Sequence, residues 1–175
     1  MEIILAENHG FCYGVKRAVE MANEAADSDG KSYTLGPIIH NPQVVGRLES
    51  KGVSPIQEVS DIDEGTMIIR SHGVGPAIYE EAEEKGLNIL DATCPHVKKA
   101  QQDAKSVIED GMTLVILGEK NHPEVKSINL WANNKGIIIE DEESAEKLQI
   151  VKRLFVQQHP FFPQFVVFRR ILHLR

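Results

Sequence analysis

Short apolar runs along this chain alternate with longer stretches in which apolar residues recur every three or four positions. The runs predict six strands, at Ile3–Leu5, Tyr33–Leu35, Met67–Ile69, Leu87–Leu90, Thr113–Leu117 and Ile137–Ile139. Because strands and helices alternate over short links, the pattern predicts an α/β fold with mainly parallel sheets and helices on both faces. Ligands of such sheets bind beyond the carboxyl ends of the strands.

Helices between the strands are indicated by two amphipathic faces and by regular punctuation. The faces consist of Val15, Ala18, Val19, Ala22, Ala25 and Ala26, and of Val97, Ala100, Ala104, Val107 and Ile108. Proline is tolerated at the first position of a helix, and glycine is favoured just after its end. These preferences predict helix starts at Pro42, Pro76, Pro95 and Pro123, and helix ends before Gly52, Gly86 and Gly111.

A weak internal repeat predicts two related lobes within the 175 residues. The strand at Ile3–Leu5 is followed by a turn, Cys12 and a helix, and the strand at Leu87–Leu90 is followed by a turn, Cys94 and a helix. We therefore predict repeated parallel-sheet lobes over 1–94 and 95–150, the second of them incomplete. A third unit at the same interval of 82 residues would place its cysteine near position 176.

The last 25 residues differ in composition from the rest of the chain. Residues 1–150 carry 14 Lys and Arg and all 26 Asp and Glu, a net −12, whereas 151–175 carry five Lys and Arg, no acid and five of the six Phe. We interpret 151–175 as an atypical basic tail that follows a truncation or frameshift after about residue 150, with a third lobe absent. Alternatively, the tail is an amphipathic segment for a membrane surface or a partner, although Pro160 and Pro163 interrupt any helix.

The overall composition is that of an ordinary globular protein. Hydrophobic residues make up 42% and charged residues 26%, and no stretch has the ~20 apolar residues that cross a membrane. No secretory or transit signal is visible at the start. We expect a cytoplasmic location, no membrane span and no nucleic-acid partner. In a reducing cytosol, two distant cysteines are expected to be thiols rather than a disulfide.

Both cysteines stand at predicted strand-to-helix turns. Cys12 lies between Gly10 and Gly14, which would let the backbone pack close to a bulky ligand, and Cys94 directly precedes Pro95. A helix start favours the thiolate form. Two buried structural cysteines are one interpretation. The polar and glycine-rich surroundings favour the other, ligands of an iron-sulfur cluster or a metal.

Three histidines have an equivalent placement, each after a predicted strand and before a predicted helix: His40, His72 and His122. Imidazoles beside helix N-termini can complete a pocket for a phosphate or diphosphate, because free amide protons and the positive dipole end also lie there. Each histidine taken alone could instead be a capping or surface residue. Glu124, two residues after His122, is either a first-turn acid that favours the dipole or a proton relay.

Five ordered segments resemble the 4-hydroxy-3-methylbut-2-enyl diphosphate reductase family: GFCYGVKRA at 10–18, LGPIIHNPQVV at 35–45, RSHGV at 70–74, DATCPHV at 91–97 and NHPEV at 121–125. The resemblance covers roughly residues 1–150. It implies two of the family's three lobes, which surround a central cavity and each give one cysteine to a 4Fe-4S cluster. It further implies that Cys12 and Cys94 are cluster ligands, with the third cysteine ligand absent. His40, His72 and His122 would bind substrate, and Glu124 would be the catalytic proton relay.

The implied reaction is a reductive dehydroxylation in isoprenoid precursor synthesis by the non-mevalonate pathway. The substrate's allylic hydroxyl leaves as water with two electrons and two protons, which gives isopentenyl and dimethylallyl diphosphates. Ferredoxin or flavodoxin is the implied electron donor. The alternative is a non-catalytic fragment that binds a diphosphate or a metal, with two cysteines and a histidine around zinc.

Overall fold

The computed structural model describes residues 3–4, 7, 9–28, 30–146 and 148, and the backbone of 154–158. The chain divides into two compact units. The first takes in Met1–Ser71 and Tyr79–Pro95, and the second takes in His72–Ile78 and His96–Arg175, in each case the described residues of those ranges. The lobe boundaries predicted at residues 94 and 150 stay predictions.

The first unit is built on a four-stranded parallel sheet with the strand order β2-β1-β3-β4. Its elements along the chain are α1 (Tyr13–Ala26), β1 (Ser32–Leu35), α2 (Pro42–Ser50), β2 (Val53–Ile56), a short 3-10 helix (Val59–Asp61), β3 (Thr66–Ile69), α3 (Pro76–Glu84), which begins in the second unit, and β4 (Asn88–Asp91). Met67, Ile68 and Ile69 are all buried, which is the pattern of a parallel strand covered on both faces.

The second unit contains a three-stranded parallel sheet with the order β6-β5-β7. Its elements are α4 (Pro95–Glu109), β5 (Thr113–Leu117), α5 (Pro123–Trp131), β6 (Ile137–Ile139), α6 (Glu142–Glu146) and β7 (Leu154–Gln158). Central strand β5 is again apolar throughout its buried length. Helices α4 and α5 pack their apolar residues together with those of β5.

The predicted fold class and helix punctuation are confirmed. Both predicted amphipathic faces lie on helices, with Ala18 and Ala22 of α1 and Ala104 and Val107 of α4 buried. The four prolines begin α2, α3, α4 and α5. The three glycines after α2, α3 and α4 have φ values of 93°, 69° and 67°, a region that glycine reaches without strain. Short-range signals therefore determined where these helices begin and end.

The predicted strands are confirmed in five of six places, one of them shifted by one residue to Asn88–Asp91. The strand predicted at Ile3–Leu5 is wrong for Ile3 and Ile4, which lie outside any strand and are 74% and 84% exposed. Leu5 lies outside the described residues. An apolar run becomes a strand only where a neighbouring strand can pair with its backbone groups. The first sheet consists of β2, β1, β3 and β4, and Ile3 and Ile4 pair with none of them.

Two strands were not predicted. Strand β2 contains Pro55, which usually argues against a strand, but β2 is an edge strand, where a missing amide proton is tolerated. Strand β7 lies in the segment predicted as an atypical tail, and it pairs in parallel with β5 from Leu154 to Gln158. The rest of that predicted tail lies outside the described residues. Among the described helices, none has the length and apolar character that crossing a membrane requires.

Candidate functional site

Cys12 is the N-cap residue of α1. Its backbone is extended, and its carbonyl oxygen accepts a hydrogen bond from the Lys16 amide at 2.9 Å. The residue is exposed, and within the part of the chain that the structure describes its thiol accepts no capping hydrogen bond. Gly10 has a φ of 103°, which explains a glycine at that position. The thiol is therefore presented at a helix N-terminus and is not engaged in capping.

Cys94 lies in the loop between β4 and α4, and backbone hydrogen bonds hold that loop. The Cys94 amide donates to the Ser71 carbonyl at 2.9 Å, and the Ala92 amide donates to the Ile69 carbonyl at 3.1 Å. The Thr93 amide donates to Asp91 Oδ1 at 3.0 Å. Each of these bonds fixes a main-chain group just before the cysteine. Cys94 is half-buried and is a free thiol, as is Cys12.

The thiol of Cys94 lies directly against the first turn of α1. A Cβ built on Gly14 would lie 2.5 Å from Cys94 Sγ, closer than real atoms approach, and 3.0 Å from Cys94 Cβ. Gly14 is thus required for this packing. The sequence predicted that glycines here admit a bulky ligand, but the described close approach of Gly14 is to the second cysteine. Because Gly14 is two residues from Cys12, the two cysteines lie at the same end of α1.

Two further side chains hold the Cys94 loop. Arg17 of α1 donates to the Thr93 carbonyl at 3.3 Å and to the Asp91 carbonyl at 3.5 Å. The Tyr79 hydroxyl donates to Asp91 Oδ2 at 3.2 Å. Burial, together with the neighbouring Asp91 carboxylate, raises the pKa of Tyr79 to about 12. Sequence reasoning missed both residues, since their partners lie 76 and 12 positions away along the chain.

His40 lies in the first unit, in the loop between β1 and α2, and its side chain is exposed. The next residue, Asn41, caps α2 by accepting hydrogen bonds from the amides of Gln43 and Val44, both at 3.1 Å. At the start of this loop, a Cβ on Gly36 would lie 2.9 Å from the Arg70 guanidinium. The predicted placement of His40 between a strand and a helix start is confirmed, and its predicted substrate contact stays a prediction.

His72 and His122 are brought together in the second unit. Their ring centroids are 6.3 Å apart, and the ring planes meet at 73°, an edge-to-face arrangement. His72 is buried and lies three residues after the end of β3, whereas His122 is half-buried and is the N-cap residue of α5. Residues 50 positions apart therefore place two imidazoles at one helix N-terminus.

His122 also performs the capping role that the sequence left open. Its Nδ1 accepts a hydrogen bond from the Glu124 amide at 3.3 Å. A ring nitrogen that accepts a hydrogen bond carries no proton, so the neutral imidazole has its proton on Nε2. Glu124 itself is a half-buried acid in the first turn of α5, where the helix dipole favours negative charge.

A buried polar network fixes the segment that carries His72. Ser127 Oγ lies 2.8 Å from the His72 carbonyl and 2.9 Å from the Glu124 carbonyl. Gln101 Nε2 donates to Ser127 Oγ at 3.3 Å, and both side chains are only 2% exposed. Trp131 Nε1 donates to the Val74 carbonyl at 2.9 Å. Side chains of α4 and α5 thus hold the main chain of 72–74.

The predicted site residues therefore fall into two groups, each within one unit. The first unit holds Cys12, Cys94 and His40, and the second holds His72, His122 and Glu124. Of the residues that the structure describes, no three His, Cys, Asp or Glu side chains are grouped closely enough to hold a metal ion. Cys12 and Cys94 are free thiols, and thiolates are groups that can ligate a metal.

Comparison with known proteins decides the family. The family model described as LytB protein matches residues 3–164. The chain belongs to the LytB family. The family match extends past residue 150, the limit that the sequence motifs alone indicated, and takes in strand β7.

LytB relatives with curated names are highly similar over this chain. This chain is 50% identical over 156 residues to the 4-hydroxy-3-methylbut-2-enyl diphosphate reductase of Geotalea uraniireducens. The alignment covers 89% of this chain and 55% of the Geotalea protein. This chain is also 50% identical over 154 residues to the reductase of the same name from Geobacter metallireducens. That alignment covers 88% of this chain and 55% of the Geobacter protein. The chain thus spans about half the length of the curated relatives it matches.

Solved LytB-type structures share the fold. One is the E-1-hydroxy-2-methyl-but-2-enyl-4-diphosphate reductase from Plasmodium falciparum, which has a TM-score of 0.83 and 31% sequence identity to this chain. The match covers 87% of this chain and 49% of the Plasmodium chain. Another is described as (E)-4-hydroxy-3-methyl-but-2-enyl diphosphate reductase, the terminal enzyme of the non-mevalonate pathway. It has a TM-score of 0.79 and 42% identity over 97% of this chain and 61% of that one.

Proposed function

We propose that this chain forms part of a 4-hydroxy-3-methylbut-2-enyl diphosphate reductase, in which it supplies two cluster ligands, substrate-binding histidines and a proton relay. The substrate's allylic hydroxyl would leave as water with two electrons and two protons, to give isopentenyl and dimethylallyl diphosphates. The observation that carries the proposal is the packing of Cys94 Sγ against the first turn of α1, the helix whose N-cap position Cys12 occupies.

The two cysteines fit the role of cluster ligands. Both are free thiols, both stand at helix starts, and Gly14 leaves the space in which Cys94 Sγ approaches α1. Thiolates are the usual protein ligands of iron-sulfur clusters. When bound, a 4Fe-4S cluster supplies electrons and, at an iron without a protein ligand, a Lewis acid. Cys12 and Cys94 would hold the cluster, and its remaining protein ligand would come from outside this pair.

The second unit supports the binding of a diphosphate. His72 and His122 place two imidazoles at the N-terminus of α5, where amide protons and the positive dipole end already favour an anion. His122 would donate from Nε2, since Nδ1 accepts the Glu124 amide. His40 of the first unit would provide a further donor from its exposed position between β1 and α2.

Glu124 would hold and deliver a proton. Its carboxyl group lies in the first turn of α5, two residues from the His122 imidazole. A carboxyl group can transfer a proton only when it lies within hydrogen-bond distance of the reacting group. If the diphosphate binds at the N-terminus of α5, the substrate would lie near the Glu124 carboxyl group. Ferredoxin or flavodoxin would donate the electrons, as the family resemblance implies.

Anaerobic reconstitution tests the cluster assignment. The chain is incubated with iron, sulfide and an exogenous thiol that can complete the coordination, and its visible spectrum is recorded beside the double variant Cys12→Ser, Cys94→Ser. We expect a brown chromophore that the double variant lacks. Colourless protein that instead retains zinc would overturn the assignment and favour a non-catalytic metal-binding fragment.

A further inference from the structure

Arg17 links the two segments that carry the cysteines. It lies on α1, five residues after the N-cap Cys12, and its guanidinium donates to the carbonyls of Asp91 and Thr93 in the loop that ends at Cys94. The side chain is half-buried. One residue of the Cys12 helix therefore contacts the main chain immediately before Cys94.

Arg17 and Gly14 act on the same face of α1. Residues three apart on a helix are neighbours on its surface, so the space left by Gly14 and the guanidinium of Arg17 lie side by side. Gly14 admits Cys94 Sγ, and Arg17 holds the carbonyl of the residue before it. The loop is thus fixed to α1 at two adjacent points.

The guanidinium suits this position better than an ammonium would. Its two terminal nitrogens reach two different carbonyl oxygens, at 3.3 Å and 3.5 Å. The planar fork of arginine makes two hydrogen bonds in a fixed geometry, whereas a lysine ammonium is a point charge on a flexible stem. A pair of bonds to two carbonyls restricts the Cys94 loop more than a single bond would, and both bonds come from the helix that begins after Cys12.

We propose that Arg17 is a positioning residue that holds the thiols of Cys12 and Cys94 at the separation required to bind one metal group. The inference rests on the proposed function, because it assumes that both cysteines are ligands of the same group. Arg17 itself ligates nothing and acts through the Cys94 loop. Partners of metal ligands commonly change metal affinity by about 10- to 100-fold when they are removed.

Cadmium binding tests the inference without any catalytic turnover. Cd²⁺ is a soft cation that takes thiolate ligands, and the cadmium-thiolate charge-transfer band reports how it is bound. The chain has only two cysteines, so Cys12→Ser and Cys94→Ser define the affinity of one thiolate. We expect the unmodified chain to bind one Cd²⁺ through both thiolates, and Arg17→Ala to weaken that binding by about 10- to 100-fold.

The matched control is Lys16→Ala on the same helix. Lys16 is an exposed neighbour whose ammonium lies 3.9 Å from Glu20, and we expect its removal to leave cadmium affinity unchanged. Arg17→Lys keeps one donor centre and should retain part of the affinity. If Arg17→Ala does not fold, as judged by circular dichroism, the comparison is made with Arg17→Gln, which lacks the fork but keeps a neutral donor.

A double-mutant comparison separates positioning from general damage. In the Cys12→Ser background only one thiolate remains, so a residue that sets the spacing of two thiols should no longer matter, and Arg17→Ala should leave this affinity unchanged. Equal weakening in both backgrounds would overturn the inference, as would an Arg17→Ala chain that binds Cd²⁺ like the unmodified one. If the unmodified chain itself binds no better than its single-thiol variants, the proposed function fails as well.

Discussion

The two cysteines of the first unit and the two histidines of the second are held by different kinds of contact. Cys94 is placed by main-chain hydrogen bonds and by a missing side chain, since Gly14 leaves the space that Cys94 Sγ occupies. His72 is placed by buried polar side chains of α4 and α5, which hold the carbonyls of residues 72 and 74.

The difference determines which substitutions each region should tolerate. In the first unit, an added methyl group at Gly14 should lower stability, because Cys94 already fills the space beside this glycine. In the second unit the loss of one buried donor is the more damaging change, because an unsatisfied buried polar group loses its hydrogen bonds to water and gains none in the protein. Four substitutions test this contrast.

We expect the largest effect from Gln101→Ala. The substitution leaves Ser127 Oγ without its donor, and it opens a cavity where a 2% exposed side chain had packed. Together these losses should lower the free energy of unfolding by about 3 kcal/mol, measured by urea denaturation. Gln102→Ala is the control, since Gln102 is exposed, and it should change stability by less than about 0.5 kcal/mol. Equal losses for the two variants would contradict the importance of the buried network.

Gly14→Ala is expected to have the next largest effect. Its Cβ would lie 2.5 Å from Cys94 Sγ, and overpacking of this kind typically costs about 1–3 kcal/mol. Urea denaturation measures the loss, and alkylation rates at Cys94 should change with it. The control is Gly46→Ala in α2, where an added Cβ meets no described atom. There the better helix propensity of alanine should stabilise the chain by about 0.5–1 kcal/mol, so opposite signs are expected for one chemical change.

These two residues also show what the sequence could predict. The helix faces, the proline starts and the glycine ends follow from interactions within a few residues, and all were predicted. Gln101 carried a usable signal, because it stands at helical spacing from Val97 and Ala104 on the apolar face of α4 and is polar. A polar residue on such a face is expected to have a buried hydrogen-bond partner.

Contacts between distant parts of the chain could not be predicted in this way. Gly14 and Cys94 are 80 positions apart, and nothing local to α1 states which side chain fills the space beside the glycine. Arg17 likewise looks like any half-exposed helical cation until the loop at Asp91 is placed beside it. Pro55 gave a misleading local signal, since only the sheet order identifies β2 as an edge strand.

Tyr79→Phe should have a smaller effect that depends on pH. The hydroxyl donates to Asp91 Oδ2 in the Cys94 loop, and the loss of this bond should cost about 1 kcal/mol at neutral pH. The folded pKa of Tyr79 is raised from 10.0 to about 12. A raised pKa contributes stability that is fully present below pH 10 and is lost as the pH rises to about 12.

The measurement for Tyr79 is the difference in unfolding free energy between the two chains from neutral pH to about pH 12. The greater unfolding free energy of the unmodified chain over Tyr79→Phe should shrink as the pH rises from 10 to about 12. Tyr13→Phe is the control, because Tyr13 is exposed and its substitution removes no buried hydroxyl group. An advantage that stays constant up to the highest pH would contradict the raised pKa.

The smallest change in stability is expected from His122→Asn, which separates the two roles of this residue. Asparagine is a favoured N-cap residue and can accept the Glu124 amide as His122 Nδ1 does, so stability should change by less than about 0.5 kcal/mol. The imidazole that faces His72 is lost, however, and binding of inorganic diphosphate measured by calorimetry should weaken by about tenfold, or 1.4 kcal/mol. Unchanged diphosphate affinity with unchanged stability would mean that His122 serves only as a cap. Weakened affinity at constant stability would show that capping of α5 and binding of diphosphate use different atoms of the His122 side chain.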